Sequence, residues 1–123
     1  MKNVAVVGCT VTLSPGKGVA QITTQASLKV KADGKGVYFG PIDVSVSGYF
    51  DSVITVPGSG SGTITIQPSA QKVKVEGKSV ILEGDSGSAK IDGMAQQGQA
   101  QVAVKSKVTA KIELAGQVKV KAN

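Results

Sequence analysis

From residue 27 to 32 the chain alternates: Leu28, Val30 and Ala32 are apolar, and Lys29 and Lys31 between them are charged. A two-residue beat of this kind marks a strand with one face turned to a core. The beat returns in Lys72-Val73-Lys74-Val75 and in Gln117-Val118-Lys119-Val120-Lys121-Ala122. It is longest over 107–114, where Val108, Ala110, Ile112 and Leu114 share one face and Lys107, Thr109, Lys111 and Glu113 the other. Further strands are expected over 4–13 with a kink near Gly8, and over 19–24, 37–39, 42–46, 50–56, 63–66, 80–82, 89–92 and 101–105. No window shows helical periodicity. The pattern predicts an all-β fold, a single compact domain of about ten short strands and hairpins.

The breaks between strands carry turn chemistry. Asp33-Gly34 is a strong hairpin signal, and Gly77-Lys78 reads as a second tight turn because glycine accepts positive φ. Residues 14–18 and 115–116 are further turns, residues 86–88 another, and 93–99 is polar and irregular. The run 57–62, Pro-Gly-Ser-Gly-Ser-Gly, has the composition of a mobile segment and is read as a flexible hairpin tip between two β-rich stretches. The chain also repeats itself. Residues 29–40 superpose on residues 72–83 with an offset of 43, and 117–122 is a partial third copy. Related β-units point to a structural body rather than to a reaction centre.

Composition sharpens this. With 123 residues the chain has the size of one domain, and its core must be aliphatic, since it holds two Phe, two Tyr and no Trp. The net charge of +6 comes from 14 basic residues, every one of them lysine. Nucleic acid is a poor match, because bidentate arginine forks are absent and aromatic stacking platforms nearly so. Lysines alternating with Val and Ala read instead as a solvated sheet face that also protects strand edges. One cysteine, Cys9, permits no internal disulfide. The apolar run before it is about four residues, against the roughly seven to fifteen of a signal h-region. Synthesis in the cytoplasm without a signal peptide is therefore expected, and no segment approaches the roughly 20 apolar residues of a membrane span.

Reaction chemistry has few candidates. There is no histidine to shuttle a proton or to activate Cys9, and one Cys without His cannot build a zinc site of the usual kind. Glu76, Glu83, Asp85 and Asp92 match no EF-hand spacing. No Gly-Lys-Ser/Thr closes the glycine-rich run, so it is no phosphate loop. The chain is expected to be neither an enzyme nor a cofactor carrier.

The stretch Glu76-Gly77-Lys78-Ser79-Val80-Ile81-Leu82-Glu83-Gly84-Asp85 resembles the PAAR and PAAR-like proteins that tip the spikes of type VI secretion systems and contractile phage tails. Their motif runs Asn-Gly-Lys-Pro-Ala-Ala-Arg-x-Gly-Asp. Gly77, Lys78, Gly84 and Asp85 occupy matching places with the spacing kept, while Ser79-Val80-Ile81-Leu82 replaces the Pro-Ala-Ala-Arg tetrad. The opening 7–16 also resembles the start of such tips. The resemblance implies a conical, three-sided β-structure that caps a trimeric β-helical spike, one tip per trimer, and meets a target membrane mechanically. It implies assembly at the end of a phage tail or injection particle. It also implies three related edges for the spike, and Lys29-Val30-Lys31, Lys72-Val73-Lys74 and Lys119-Val120-Lys121 are the candidates, through β-augmentation. Tips of this family commonly carry zinc on three His and one Cys, which this chain cannot supply. Two other functions compete. One is a self-associating capsid or tail decoration protein. The other is a binding module for sugar, protein or nucleic acid.

Overall fold

Asp33 and Gly34 both sit at positive φ, 53° and 77°, and Glu76 and Gly77 repeat this at 52° and 81°. Two successive left-handed residues make the primed turn whose twist suits a two-residue hairpin. A computed structural model describes residues 2–122 of the chain. Its strands are β1 (Lys2–Asn3), β2 (Thr10–Ser14), β3 (Lys17–Ile22), β4 (Lys31–Ala32), β5 (Lys35–Gly36), β6 (Ile42–Phe50), β7 (Gly60–Ile66), β8 (Lys74–Val75), β9 (Lys78–Ser79), β10 (Ser86–Gln97), β11 (Ala100–Leu114) and β12 (Lys121–Ala122). The fold is all-β.

The strands fall into two layers. Three two-stranded pairs, β4-β5, β8-β9 and β12-β1, make a small plate. Their registers are equivalent: Ala32 opposes Lys35, Val75 opposes Lys78 and Ala122 opposes Lys2. The third pair joins the two ends of the described chain, so the partial repeat at 117–122 is completed by Lys2-Asn3-Val4-Ala5-Val6.

Beyond each pair the chain crosses the middle of the plate as one side of a triangle. Val4 bridges Leu82, Val6 bridges Val37, and Phe39 bridges Val80. Three backbone bonds close the triangle. Ala5 N–H donates to the Ile81 carbonyl at 2.8 Å, Ile81 N–H to Tyr38 at 3.0 Å, and Tyr38 N–H to Ala5 at 3.1 Å. A second trio ties Val7 to Gly36, Gly40 to Ser79 and Glu83 to Asn3, and a third ties Val37 to Val30, Val80 to Val73 and Val4 to Val120. One chain thus folds its three repeats into a pseudo-three-fold unit.

The second layer is one six-stranded antiparallel sheet in the order β2-β11-β10-β7-β6-β3. It consists of the three long hairpins that leave the plate, and it curls so that β2 approaches β3 and nearly closes a barrel. Alternation sends Ile42, Val44, Val46, Ile64, Ile66, Ile91, Val108, Ala110 and Ile112 inward, with Ala5, Tyr38 and Ile81 closing the plate end. On the opposite side of the triangle Val4, Val6, Val37, Val80 and Leu82 pack with Ala32, Val75, Ala122 and Ala70 as a second core. Val80, Ile81 and Leu82 are therefore buried on both faces, not on one face of a hairpin.

Several expected elements are corrected. The turn at 77–78 is shifted by one residue: Glu76-Gly77 turns and Lys78 begins β9. Residues 27–30, 70–73 and 117–120 are bent segments, not strand; in the first and third the Ser27 hydroxyl and the Gln117 side-chain carbonyl accept from the next backbone N–H groups. Residues 50–56 are not a strand. β6 runs unbroken through Ser47-Gly48 to Phe50, and Asp51 then caps a loop by accepting from the N–H of Val53 and Ile54, both at 2.7 Å.

The glycine-serine run is half strand, since β7 starts at Gly60. A Cβ on Gly60 would meet Tyr49, and one on Gly62 would meet Ile91. These glycines serve close packing rather than mobility. Residues 86–88 and 93–97 belong to β10, which pairs with β11 out to Gln97–Ala100.

Candidate functional site

The candidate docking face is built by the plate. Position 27 of the first repeat corresponds to 70 and 117 in the others, and Ser27, Ala70 and Gln117 are all buried. The Ser27 hydroxyl oxygen accepts from the N–H of Lys29 at 3.2 Å and of Val30 at 3.0 Å. The Gln117 side-chain carbonyl does the same for Lys119 and Val120 at 2.8 and 2.7 Å, while its amide donates to the carbonyls of Val4 and Val120. These caps bend the chain just before β4 and β12. The next residues are turned outward.

All three repeats, the middle one without a capping side chain at Ala70, leave an apolar set on the surface where alternation would have buried one. Val30, Val73 and Val120 stand at equivalent positions with nearly equal exposure, 41, 40 and 42%. Two residues earlier come Leu28 and Val118, exposed, with Gln71 in the middle repeat. Around them lie three sets of exposed lysines: Lys29, Lys31 and Lys35; Lys72, Lys74 and Lys78; Lys119, Lys121 and Lys2. The structure brings all nine residues of the three Lys-Val-Lys segments to this one layer, at three equivalent places. Only Lys31, Lys74 and Lys121 of them lie in strands. Lys119 reaches Asp33 of the neighbouring repeat at 3.3 Å, and the Lys35 ammonium donates to the Gly116 carbonyl at 3.2 Å.

The four motif-matching residues serve the join between the layers. Gly77 supplies the turn and Lys78 starts the return strand. Gly84 takes φ of 94°, which lets the chain reverse out of the plate, and its N–H donates to Ile112 at 2.8 Å. Asp85 is buried, and its carboxylate accepts from the N–H of Leu82 at 2.8 Å and of Ser69 at 3.2 Å, and from the Ser69 hydroxyl. A carboxylate so occupied is a clasp between the plate and the barrel.

At the far end a cluster that the sequence reading missed holds the barrel together. The Tyr49 hydroxyl donates to Asp51 at 2.8 Å and accepts from Gly16 N–H at 3.0 Å, and the Ser106 hydroxyl donates to the same Asp51 oxygen at 2.6 Å. Burial raises the Asp51 pKa, but the bonds from Ser106, Ile54, Tyr49 and Val53 outweigh it, and the carboxyl ends below its ordinary value. The only sequence signal was a tyrosine placed on an inward position of β6.

Zinc of the kind found in PAAR tips does not fit these residues. Burial pushes the Cys9 thiol up to about 11, the opposite of what a thiolate ligand needs. Among the described residues no three of His, Cys, Asp or Glu come together as a ligand set. The shallow clefts are lined by residues such as Val7, Leu28 and Lys35, or Gln25, Lys29 and Glu76, and the Ser27 hydroxyl that they share is occupied by the N–H groups of Lys29 and Val30.

Fold and face together define a class: a small all-β body, built by one chain, with a pseudo-three-fold surface at one end. No family model, no curated protein and no solved structure matches the chain.

Proposed function

We propose that the chain is a structural, PAAR-like tip that caps a trimeric β-helical spike of a phage tail or contractile injection system. One observation carries the reading. A single chain spends three repeats on building a pseudo-three-fold plate, and it leaves the valines and lysines of that plate exposed. Pseudo-symmetry of this kind has an evident use when the partner has real three-fold symmetry, because each repeat then meets the same surface. The valines can fill the spike's apolar interior, while the main-chain groups of Val30 and Val120 are already bonded within the chain, to Ser27 and Val37 and to Gln117 and Val4.

The opposite end suits the apex. The long hairpins point away from the plate, and a strand of 15 residues such as β11 spans about 50 Å. The segments 52–60 and 93–104 contain no charged residue. They are joined at that end, where Val56 N–H donates to the Met94 carbonyl at 3.1 Å and Met94 N–H to the Ser59 hydroxyl at 3.0 Å. A rigid, uncharged end costs least when driven into a bilayer.

The test is co-purification with the trimeric spike protein encoded in the same genome, with mass read by light scattering. One tip per three spike chains is the expected result. A monomeric chain that leaves the spike alone overturns the proposal. Trimers or rings formed by the isolated chain would instead favour a self-associating decoration protein.

A further inference from the structure

Charge is divided between the two layers in a way that the capping reading does not require. The plate segments 2–3, 27–36, 70–79 and 117–122 hold nine lysines against two carboxylates, Asp33 and Glu76. The rest of the chain holds five lysines against six carboxylates. Essentially all of the net positive charge therefore lies on one end of the molecule. Among the described residues only Lys119 of those nine pairs with a carboxylate. Each repeat holds three exposed lysines about its valine, of which Lys35 also donates to the Gly116 carbonyl.

A cluster of like charges works against the fold by self-repulsion and is relieved when an opposite charge arrives. A solubilising role alone would spread the lysines over both layers. It would also leave no reason for the same three positions to be lysine in all three repeats.

We infer that the plate's partner is a protein whose three-fold end carries carboxylates around an apolar centre. Capture by the lysines is electrostatic, and seating is by the valines. This rests on the proposal that the plate caps a trimer, and it names the chemistry of the partner's terminal face. The apolar centre is what separates such a partner from nucleic acid, because a phosphate backbone offers Val30, Val73 and Val120 nothing to bury against.

The test measures association with the purified trimeric β-helical spike protein from the same genome, immobilised, at about 50 and about 500 mM salt, where the Debye length falls from roughly 14 to 4 Å. The on-rate is expected to fall at least about tenfold, with the off-rate changing much less. The triple variant Lys31→Gln, Lys74→Gln, Lys121→Gln should lose most of that salt dependence. The triple variant Lys17→Gln, Lys90→Gln, Lys107→Gln has the same change of net charge on the barrel wall and should keep it. Val73→Ala should raise the off-rate and leave the salt slope alone.

Failure to bind at any salt removes the capping proposal and this inference with it. Binding that salt does not touch, or that both triple variants weaken equally, leaves the cap standing and overturns the acidic partner. Binding to a short duplex DNA that is tighter than binding to the spike at equal salt overturns it as well.

Discussion

The plate has two hairpins with turns and a third whose strands, β12 and β1, come from opposite ends of the described chain. If the three are equivalent, a two-residue turn joining Ala122 to Lys2 fits without strain, because Ala122 opposes Lys2 as Ala32 opposes Lys35 and Val75 opposes Lys78. The perturbation is a backbone-cyclised chain of residues 2–122 closed by Asp-Gly, the dipeptide found at 33–34. Closing a loop of this length removes conformational entropy from the unfolded chain worth about 5 kcal/mol at most. Engineered closures deliver less than the ideal, so a gain of at least about 2 kcal/mol is expected. An Ala-Ala closure separates geometry from entropy. Both turn positions need positive φ, as at Glu76 and Gly77, and alanine there costs roughly 1–2 kcal/mol per residue. Urea denaturation at equal protein concentration reads both differences, and melting should shift upward by roughly 10 °C for the Asp-Gly ring. A ring no more stable than the linear chain refutes the three-fold reading of the plate. So does an Ala-Ala ring equal to the Asp-Gly ring.

Other expectations are more local. Tyr49→Phe removes a hydroxyl that both donates to Asp51 and accepts from Gly16, so it should cost about 1–3 kcal/mol in urea denaturation, and no loss would mean the cluster is not holding the barrel. The Asp51 pKa is depressed on folding, so its contribution is present above the unfolded value of about 3.9 and is lost as pH falls through the folded value; Asp51→Asn should lower stability at neutral pH and flatten its decline below about pH 4. Gly87→Ala drives a Cβ into the Thr65 carbonyl and should cost more than about 2 kcal/mol, whereas a fully stable variant would show that β7 and β10 are not packed as described. With its thiol near 11 rather than 9.0, Cys9 should be alkylated about 100-fold more slowly at pH 8 than an exposed cysteine of ordinary pKa, which a labelling time course checks.

What could be read from the sequence was local and repeated. Asp33-Gly34 announces its turn because few other dipeptides accept two positive φ angles. The offset between residues 29–40 and 72–83 discloses two of the three repeats. The third was half hidden, since Lys2-Asn3-Val4 belongs with Gln117 to Ala122 and lies at the other end of the sequence. Leu28 and Val30 misled because alternation predicts burial, yet the chain bends at 28–29 and at the matching places of the other two repeats, with the Ser27 hydroxyl bonding the bend in the first, and both side chains stay exposed. Gly60 and Gly62 misled because composition cannot tell a mobile glycine from one pressed against Tyr49 or Ile91. The strand expected over 89–92 runs in fact from 86 to 97; its ends were read as turn and irregular chain because they are largely exposed and their serines, glycines and glutamines break the apolar beat. The bond from Ser106 to Asp51 spans 55 residues and has no local trace at all.

If the plate seats on a three-fold partner, its repeats have an energetic consequence of their own. Val30, Val73 and Val120 are equally exposed and each is followed by lysine, so each subunit of a true trimer would meet the same contact. One association then gains that contact three times. A plate with a single such repeat would gain it once. In the barrel, symmetry is discarded freely: β2 has five residues and β11 fifteen, and only β10 and β11 extend far past the cluster at Asp51. The repeats are alike where a trimer would be met and unlike where only a single point is needed. That division suits the proposed cap on a three-fold shaft better than a self-associating shell protein, which would repeat its contacts between copies rather than within one chain.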